Sequence, residues 1–173
     1  ELLCIDAFPG IEPYHGLGQL DAAQLASRYG ERRPVTPEQF RYAAAADHAF
    51  ATGNATLLAN LARDGSAPLP WVPAAAARWL QAQPDPVTGL GRLEQLALDA
   101  IRGGNASPAA IFAAAAAAEA PPQYWGDTTL WAAINRLAAR KPSLVRIEGP
   151  AGRLPQWESN LPLGDFRITP VAY

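Results

Sequence analysis

The stretch GRLEQLALDAIRGG, residues 91–104, decides the fold of the second half of the chain. Its apolar residues recur at the spacing i, i+3, i+4, i+7 and i+8, which is typical of a helix with one buried face. These residues are Leu93, Leu96, Ala97, Ala100 and Ile101. The two glycines that follow are a stop signal, so we predict a helix over residues 92–102.

Two more helices are expected after it. Ser107 has the side chain of an N-cap, and Pro108 suits the first helical position because its missing N–H costs no hydrogen bond there. This helix should run to about residue 118. Asp127 can begin a third helix, in which Leu130, Trp131, Ile134, Leu137 and Ala138 share one face.

A strand over residues 144–147, a loop from 149 to 163 and a second strand over 166–169 complete the pattern. Three helices followed by a strand, a long loop and a strand predict a winged-helix-like unit, in which a β-hairpin lies behind a helix-turn-helix. A helical bundle with an added hairpin is the alternative.

The first half is also predicted to be helical after an extended beginning. Thr36 and Gln39 form a capping box around Pro37, and Gly53 can end that helix. The predicted helices span residues 21–29, 36–51, 54–61 and 74–83. Residues 2–5 have the pattern of a strand.

An internal similarity divides the chain into two units. GLGQL at residue 16 resembles GLGRL at residue 89, and GNATL at 53 resembles GDTTL at 126, with the same offset of 73 in both cases. We therefore expect a mainly α protein made of tandem three-helix units, the second winged-helix-like with a C-terminal β-hairpin. The predicted boundaries are an extended segment over 1–20, a helical unit over 21–86 and the winged-helix-like unit over 87–173.

Composition excludes several classes of protein. Of the 173 residues, 49% are hydrophobic and 17% charged, so a disordered polar chain is excluded. With 14 basic and 16 acidic residues the net charge is −2, unlike a strongly basic nucleic-acid or membrane-surface binder. No apolar run approaches the roughly 20 residues of a membrane span. Without a visible leader peptide, the expected location is the cytoplasm. The absence of methionine indicates a sequence that continues upstream.

Five short motifs carry a resemblance to a known family. They are IDAFPGIE from residue 5, HGLGQL from 15, RRPVT from 32, TGLGR from 88 and GDTTLW from 126. Together they resemble the C-terminal part of an uncharacterised bacterial domain-of-unknown-function family. The resemblance covers most of the chain and implies a helical, winged-helix-like region that an α/β domain usually precedes. It implies no catalytic residues. Where the family usually has a helix-capping serine, this chain has Gly91.

No motif indicates catalysis, a metal or a cofactor. His15 could pair with Asp6 or Glu12 for acid–base chemistry, but no nucleophile motif accompanies it, and a structural histidine is the better interpretation. One cysteine and two histidines leave little for a metal site. Cys4 stands between apolar residues and is expected to be a buried, inert thiol. We therefore expect no enzyme active site in this chain.

Nucleic-acid binding, if it occurs, should use the third helix of the winged-helix-like unit and the hairpin beside it. The residues expected there are Thr128, Thr129, Asn135, Arg136, Arg140, Lys141, Arg146 and Arg153. Residues 84–173 nevertheless carry equal numbers of basic and acidic side chains, so affinity for phosphates should be weak. Trp125 and Trp157 could instead stack on a ligand.

Two functions therefore stay open. The first is a non-enzymatic protein-interaction or scaffold module, whose partner is another protein or the chain's own N-terminal domain. The second is a nucleic-acid-binding, transcription-related protein. An exposed apolar patch around Trp125 or Trp157 would favour the first. A cluster of arginines on one face would favour the second.

Asp47 is the one charged side chain that we expect to be buried for structural reasons. With Phe40 taken as the centre of the apolar face of its helix, Asp47 falls within that face at 100° per residue. A carboxylate there needs a partner, and Arg28, Arg33, Arg78, Trp71 or Trp79 could supply one.

Overall fold

The computed structural model describes residues 1–120, 123–158 and 161–171. The chain packs as two units, Glu1–Gln81 and Ala82–Tyr173. The sequence placed this division after residue 86. The turn that follows Gln81 packs with the second unit, because the Asp85 N–H donates to the Leu90 carbonyl at 2.9 Å. The mainly helical fold and the C-terminal hairpin are confirmed.

The first unit consists of four α-helices, and a side chain caps the N-terminus of most of them. They are α1 (Ala22–Arg28), α2 (Pro37–Thr52), α3 (Ala55–Ala62) and α4 (Val72–Gln81). The capping box predicted for α2 is present: the Gln39 N–H donates to Thr36 Oγ1 at 3.1 Å, and the Thr36 N–H donates to Gln39 Oε1 at 3.0 Å. Gly53 ends α2 in the left-handed conformation.

The buried face of α2 differs from the predicted one. Ala46 and Ala49 are buried, whereas Phe40 is 65% exposed. Asp47 is exposed as well, so the prediction that it is a buried polar residue is wrong. Four consecutive alanines, residues 43–46, make several faces of this helix apolar. Phe40 was therefore a poor guide to the buried face.

The N-terminal segment, residues 2–5, forms β-type backbone pairing at one residue. Leu2 and Arg33 exchange two backbone hydrogen bonds, at 2.7 and 2.9 Å, and form an isolated antiparallel bridge. The predicted strand over residues 2–5 is therefore wrong, since pairing does not extend beyond Leu2 in this segment. Cys4 is exposed, which corrects the expectation that its thiol is buried.

The described residues of the second unit form three α-helices and a hairpin. The helices are α5 (Arg92–Arg102), α6 (Pro108–Ala118) and α7 (Asp127–Ala139). Strands β1 (Val145–Glu148) and β2 (Arg167–Pro170) pair antiparallel, with Arg146 opposite Thr169 and Glu148 opposite Arg167. Helix α6 begins as predicted, because Ser107 Oγ accepts from the Ala110 N–H at 3.3 Å.

One core joins these elements. It includes Ile101 of α5, Ile111 of α6, Leu130 and Ile134 of α7 and Ile168 of β2, each at most 1% exposed. The connection between α5 and α6 also reaches the hairpin, because the Ile168 N–H donates to the Ala106 carbonyl at 2.8 Å. The hairpin is therefore held on the helices by apolar packing and by a backbone hydrogen bond.

Gly91, the N-cap residue of α5, lies close to other backbone. A Cβ at this position would be 2.8 Å from the Ala82 carbonyl oxygen. The first turn of α5 is capped instead by Glu94, whose Oε2 accepts from the Gly91 N–H at 3.2 Å. Close backbone packing accounts for the glycine.

None of the helices in the described part of the chain is long and apolar enough to cross a lipid bilayer.

Candidate functional site

The outer face of α7 is where the sequence places a nucleic-acid contact. The helix turns Leu130, Trp131, Ile134 and Leu137 into the core. Thr129 and Arg136 are exposed, while Thr128 is half-buried and donates its N–H to Asp127 Oδ1 at 2.7 Å. Alanines occupy much of the remaining outer surface, so few side chains can contact a base edge.

Asn135 is used inside the unit. Its Nδ2 donates to the Leu154 carbonyl at 2.9 Å, and its Oδ1 accepts from the Leu154 N–H at 2.8 Å. Leu154 is fully buried and lies in the loop between the two strands. The amide of Asn135 therefore holds this loop on α7 and, contrary to the prediction, does not point free into solvent.

Two arginines, one within α7 and one directly after it, donate hydrogen bonds to the first turn of α5 and to the segment that precedes α5. Arg136 Nε donates to Glu94 Oε1 at 2.6 Å. Arg140 donates to the carbonyls of Gly89 at 3.1 Å and Thr88 at 3.4 Å. Each guanidinium therefore already has protein acceptors, and phosphate binding would compete with these contacts.

The remaining predicted cations are spread over the hairpin side of the unit. Arg153 pairs with Glu158 at 2.6 Å. Lys141 and Arg146 are exposed, and no ion pair of theirs is found among the described residues. Arg136, Arg140 and Arg153 therefore have three different sets of acceptors, which is not the arrangement expected of a phosphate-binding cluster.

A buried polar network in the second unit surrounds Glu119, directly after α6. Its side chain is only 2% exposed. Oε1 accepts from Arg92 Nε at 2.9 Å, from Arg92 Nη2 at 2.7 Å and from the Ala120 N–H at 2.8 Å. Oε2 accepts from Trp125 Nε1 at 2.9 Å. This network ties the α6–α7 connection to the beginning of α5.

Trp125 is therefore a structural residue. Besides donating to Glu119, its ring packs edge-on against Phe112 with centroids 5.5 Å apart. No pattern in the sequence predicted the role of Glu119. The available signal was a single carboxylate at the end of a ten-residue apolar run, six residues before a tryptophan.

Trp157 is 88% exposed, in contrast to Trp125. It lies in an irregular, bent part of the β1–β2 loop, residues 153–158, which we call the loop tip. Glu158 Oε2 accepts from the backbone N–H groups of Gln156 at 2.8 Å and Trp157 at 3.1 Å. The pKa of Glu158 is lowered chiefly by the hydrogen bond from the Gln156 N–H. Other backbone N–H groups and the Arg153 guanidinium lower this pKa further.

The described residues show no catalytic arrangement around the sequence candidates. Asp6, Glu12 and His15 are all exposed. No group of three His, Cys, Asp or Glu side chains in the described parts of the chain could hold a metal ion. Cys4 lines an open cleft of about 400 Å³ in the first unit, together with Trp71 and others.

Comparison with known proteins identified no relative of this chain. No family model matches the chain, and no curated protein or solved structure matches it either.

Proposed function

We propose that this chain is a non-enzymatic protein-interaction or scaffold module whose second unit is winged-helix-like. The order α5, α6, α7, β1, loop, β2 supports this description. So does the hydrogen bond from the Ile168 N–H to the Ala106 carbonyl, which joins the hairpin to the connection between α5 and α6. The same arrangement is the one that the resemblance to the uncharacterised bacterial family implies.

We include a tandem relation between the two units in this proposal. Helices α2 and α6 both begin with a capping hydroxyl residue followed by proline, at Thr36-Pro37 and Ser107-Pro108. Helices α3 and α7 begin within the similar GNATL and GDTTL stretches. Equivalent helix starts in the same order are what a duplicated three-helix unit should have.

One contrast carries the functional proposal. The polar side chains that a winged helix would use on DNA are bonded within the unit, as Asn135, Arg136 and Arg140 show. The indole of Trp157, in contrast, is exposed to solvent at a bend of the β1–β2 loop. Aromatic side chains are enriched at protein–protein interfaces. A surface without net positive charge binds the phosphates of nucleic acid weakly.

Nucleic-acid binding is the second candidate, and Lys141 and Arg146 are the observation in its favour. Both are exposed in the hairpin region of the unit. The segment 84–173 has eight basic and eight acidic residues, however. Since released counterions supply most of the sequence-independent affinity, a segment whose cations are matched by as many carboxylates supports only weak binding.

A salt titration of duplex DNA binding by the full chain separates the two functions. The proposal predicts no sub-micromolar binding at physiological salt and little dependence of affinity on salt. Tight binding with a slope equivalent to several phosphate contacts would contradict it.

A second experiment tests protein association directly. Full-length tagged protein is crosslinked in cells and purified with and without nuclease treatment. We expect a crosslinked protein complex that persists after nuclease. A complex that disappears with nuclease, or the lack of any complex, would contradict the proposed function.

A further inference from the structure

The first unit leaves open a position that a strand fills in the second unit. We propose that an extended segment of a partner protein binds at this position by pairing with the backbone of Leu3. The segment carries an apolar side chain for the cleft beside Leu3 and an acidic side chain for Arg33. This inference rests on the tandem relation included in the proposed function, and it names the site at which the module holds a protein.

The two units use the same connection to hold an extended segment. In the second unit, the Ile168 N–H of β2 donates to the carbonyl of Ala106, between α5 and α6. In the first unit, Leu2 exchanges two backbone hydrogen bonds with Arg33, between α1 and α2. Arg33 and Ala106 are 106 − 33 = 73 residues apart, which is the offset of the sequence repeats. Leu2 therefore has the place in its unit that Ile168 has in the other.

The opposite edge of this segment distinguishes the two units. In the second unit, β2 is paired along that edge with β1, where Thr169 lies opposite Arg146. Successive residues in β-type pairing turn their backbone groups to opposite edges, so Leu3 turns its N–H and carbonyl away from Arg33. No hydrogen bond of either group is found among the described residues. We call these two groups the Leu3 edge, and a strand equivalent to β1 would pair there.

The order of elements explains why the first unit, all of whose residues are described, supplies no strand for the Leu3 edge. After α7 the second unit continues into β1, whereas α3 is followed by the helix α4 in the first unit. Helix α4 packs on α3 as β1 packs on α7. The backbone groups of a helix are used within the helix, however, so α4 cannot pair with the Leu3 edge. What fits this edge is an extended segment, because that is what covers the equivalent edge of β2.

The cleft beside the Leu3 edge can receive side chains of the added segment. Its volume is about 400 Å³, and residues 2–4, residues 33–34 and Trp71 contribute to its lining. When a strand adds to an open edge, main-chain hydrogen bonds supply affinity, and pockets for alternate side chains supply specificity. The leucines of the N-terminal segment and the ring of Trp71 are apolar, so they favour an apolar side chain.

Charge at the cleft favours an acidic residue elsewhere in the same segment. Arg28 pairs with Glu31 and Arg32 pairs with Glu1, so both of these cations already have a carboxylate. Arg33 also lines the cleft, is exposed, and has no ion pair among the described residues. A carboxylate on the partner segment would complement this charge and help to fix the register of pairing.

The first stage of the test finds a probe and locates its binding. Phage-displayed random linear peptides are selected on the full chain, and the best binder is synthesised as the probe. Cys4 is the single cysteine of the chain, is exposed and lines the cleft, so its alkylation by N-ethylmaleimide reports occupancy. We expect the saturating probe to slow this alkylation. Failure to select any peptide, or unchanged alkylation, overturns the proposal.

The same reaction without a probe tests two other occupants. Cys4 should react at the rate of an exposed thiol at every protein concentration. Protection that rises with protein concentration would identify a second copy of the chain at this site. Protection independent of concentration would identify a segment of the same molecule. Either result overturns the proposal.

The second stage tests backbone pairing with the wild-type chain. The probe is synthesised with an N-methyl group at each position in turn, which removes one N–H at a time. Only every second N–H of an added strand faces the Leu3 edge. We therefore expect affinity to fall by about tenfold at alternate positions, as for the loss of one hydrogen bond. Sensitivity without this alternation would mean that side chains alone hold the peptide, contrary to the proposal.

The third stage changes the site itself. Leu3→Pro removes an N–H that has no partner in the free chain and should weaken probe binding by about tenfold. Leu3→Ala keeps the N–H and should weaken it less. Arg33→Ala should weaken binding about two- to fivefold, as for an exposed ion pair. Arg41→Ala, at an exposed position of α2, should bind like the wild type. Circular dichroism checks that each variant keeps its helix content, and equal effects of the two Leu3 variants contradict the proposal.

Failure of this inference can be told apart from failure of the proposed function. A nuclease-resistant protein complex that forms equally with the wild type and with Leu3→Pro overturns the Leu3 edge as the docking site, while the interaction function stands. If the chain forms no protein complex and binds duplex DNA tightly, both are overturned.

Discussion

Replacing Gly149 with alanine tests how closely the β1–β2 loop packs on the core. The φ angle of Gly149 is +152°, a backbone conformation that L side chains rarely adopt. A Cβ built there would lie 2.5 Å from Cδ1 and 2.9 Å from Cε1 of Phe166. Phe166 is only 3% exposed, so its ring cannot move into solvent without leaving the core.

The expected loss of stability has two parts. Backbone strain at a glycine-only conformation costs about 1–3 kcal/mol. Forcing an extra methyl group into a packed site costs about 1–3 kcal/mol more. The matched control is Gly152→Ala in the same loop, where φ is +64° and no atom lies within 4 Å of the added Cβ. It should cost only the left-handed strain, about 1–2 kcal/mol.

Urea denaturation followed by the methyl NMR signal of Ile168, which is fully buried in the second unit, measures both variants. Gly149→Ala should lose at least about 1 kcal/mol more than Gly152→Ala, since the packing term is present only in the first. In the Gly149→Ala background, Phe166→Leu should cost less than in the wild type, because the ring edge is removed. Equal stability of the two glycine variants would refute the close approach of Gly149 and Phe166.

Three more predictions follow from side-chain contacts. Arg92→Ala should destabilise the second unit by about 2–4 kcal/mol, because it leaves the buried Glu119 carboxylate without its cation. Glu119→Gln should cost less in the same urea assay; equal costs would contradict a charge effect. Asn135→Ala should cost about 1–3 kcal/mol and speed amide exchange in the loop, since a buried backbone N–H and carbonyl lose their partners. The pKa of Glu158 lies below its ordinary 4.5, so its contribution to stability is present above that pH and is lost as pH falls through the lowered value. The Trp157 amide shift should therefore change only in acid, and Glu158→Gln should abolish that change; an unchanged titration in the variant would contradict the assignment.

Local sequence signals predicted the helices well. The capping box at Thr36, the Ser107 cap with Pro108 and the Gly53 stop act between residues at most a few positions apart. Such interactions are present in the sequence pattern itself. The helix predicted over 92–102 has those bounds in the structure, because a strongly periodic face and paired glycines define it.

The candidate site was predicted less completely. Periodicity correctly put Leu130, Ile134 and Leu137 of α7 in the core and left Thr129 and Arg136 outside. It could not show that Asn135 and Arg136 are bonded to residues 19 and 42 positions away. Nor did it identify Glu158, whose carboxylate organises the loop tip.

The sequence by itself determined that this protein is mainly helical, where most helices begin and end, and that a hairpin follows α7, because short-range capping and apolar periodicity decide these features. Only the tertiary structure decided which polar side chains are buried. Asp47 faces solvent because an alanine-rich helix can bury more than one face, and Glu119 is buried because Arg92, 27 residues earlier, comes to it through the packing of α5 on α6. The partner of a buried charge depends on long-range packing, and a single sequence carries no local signal for that contact.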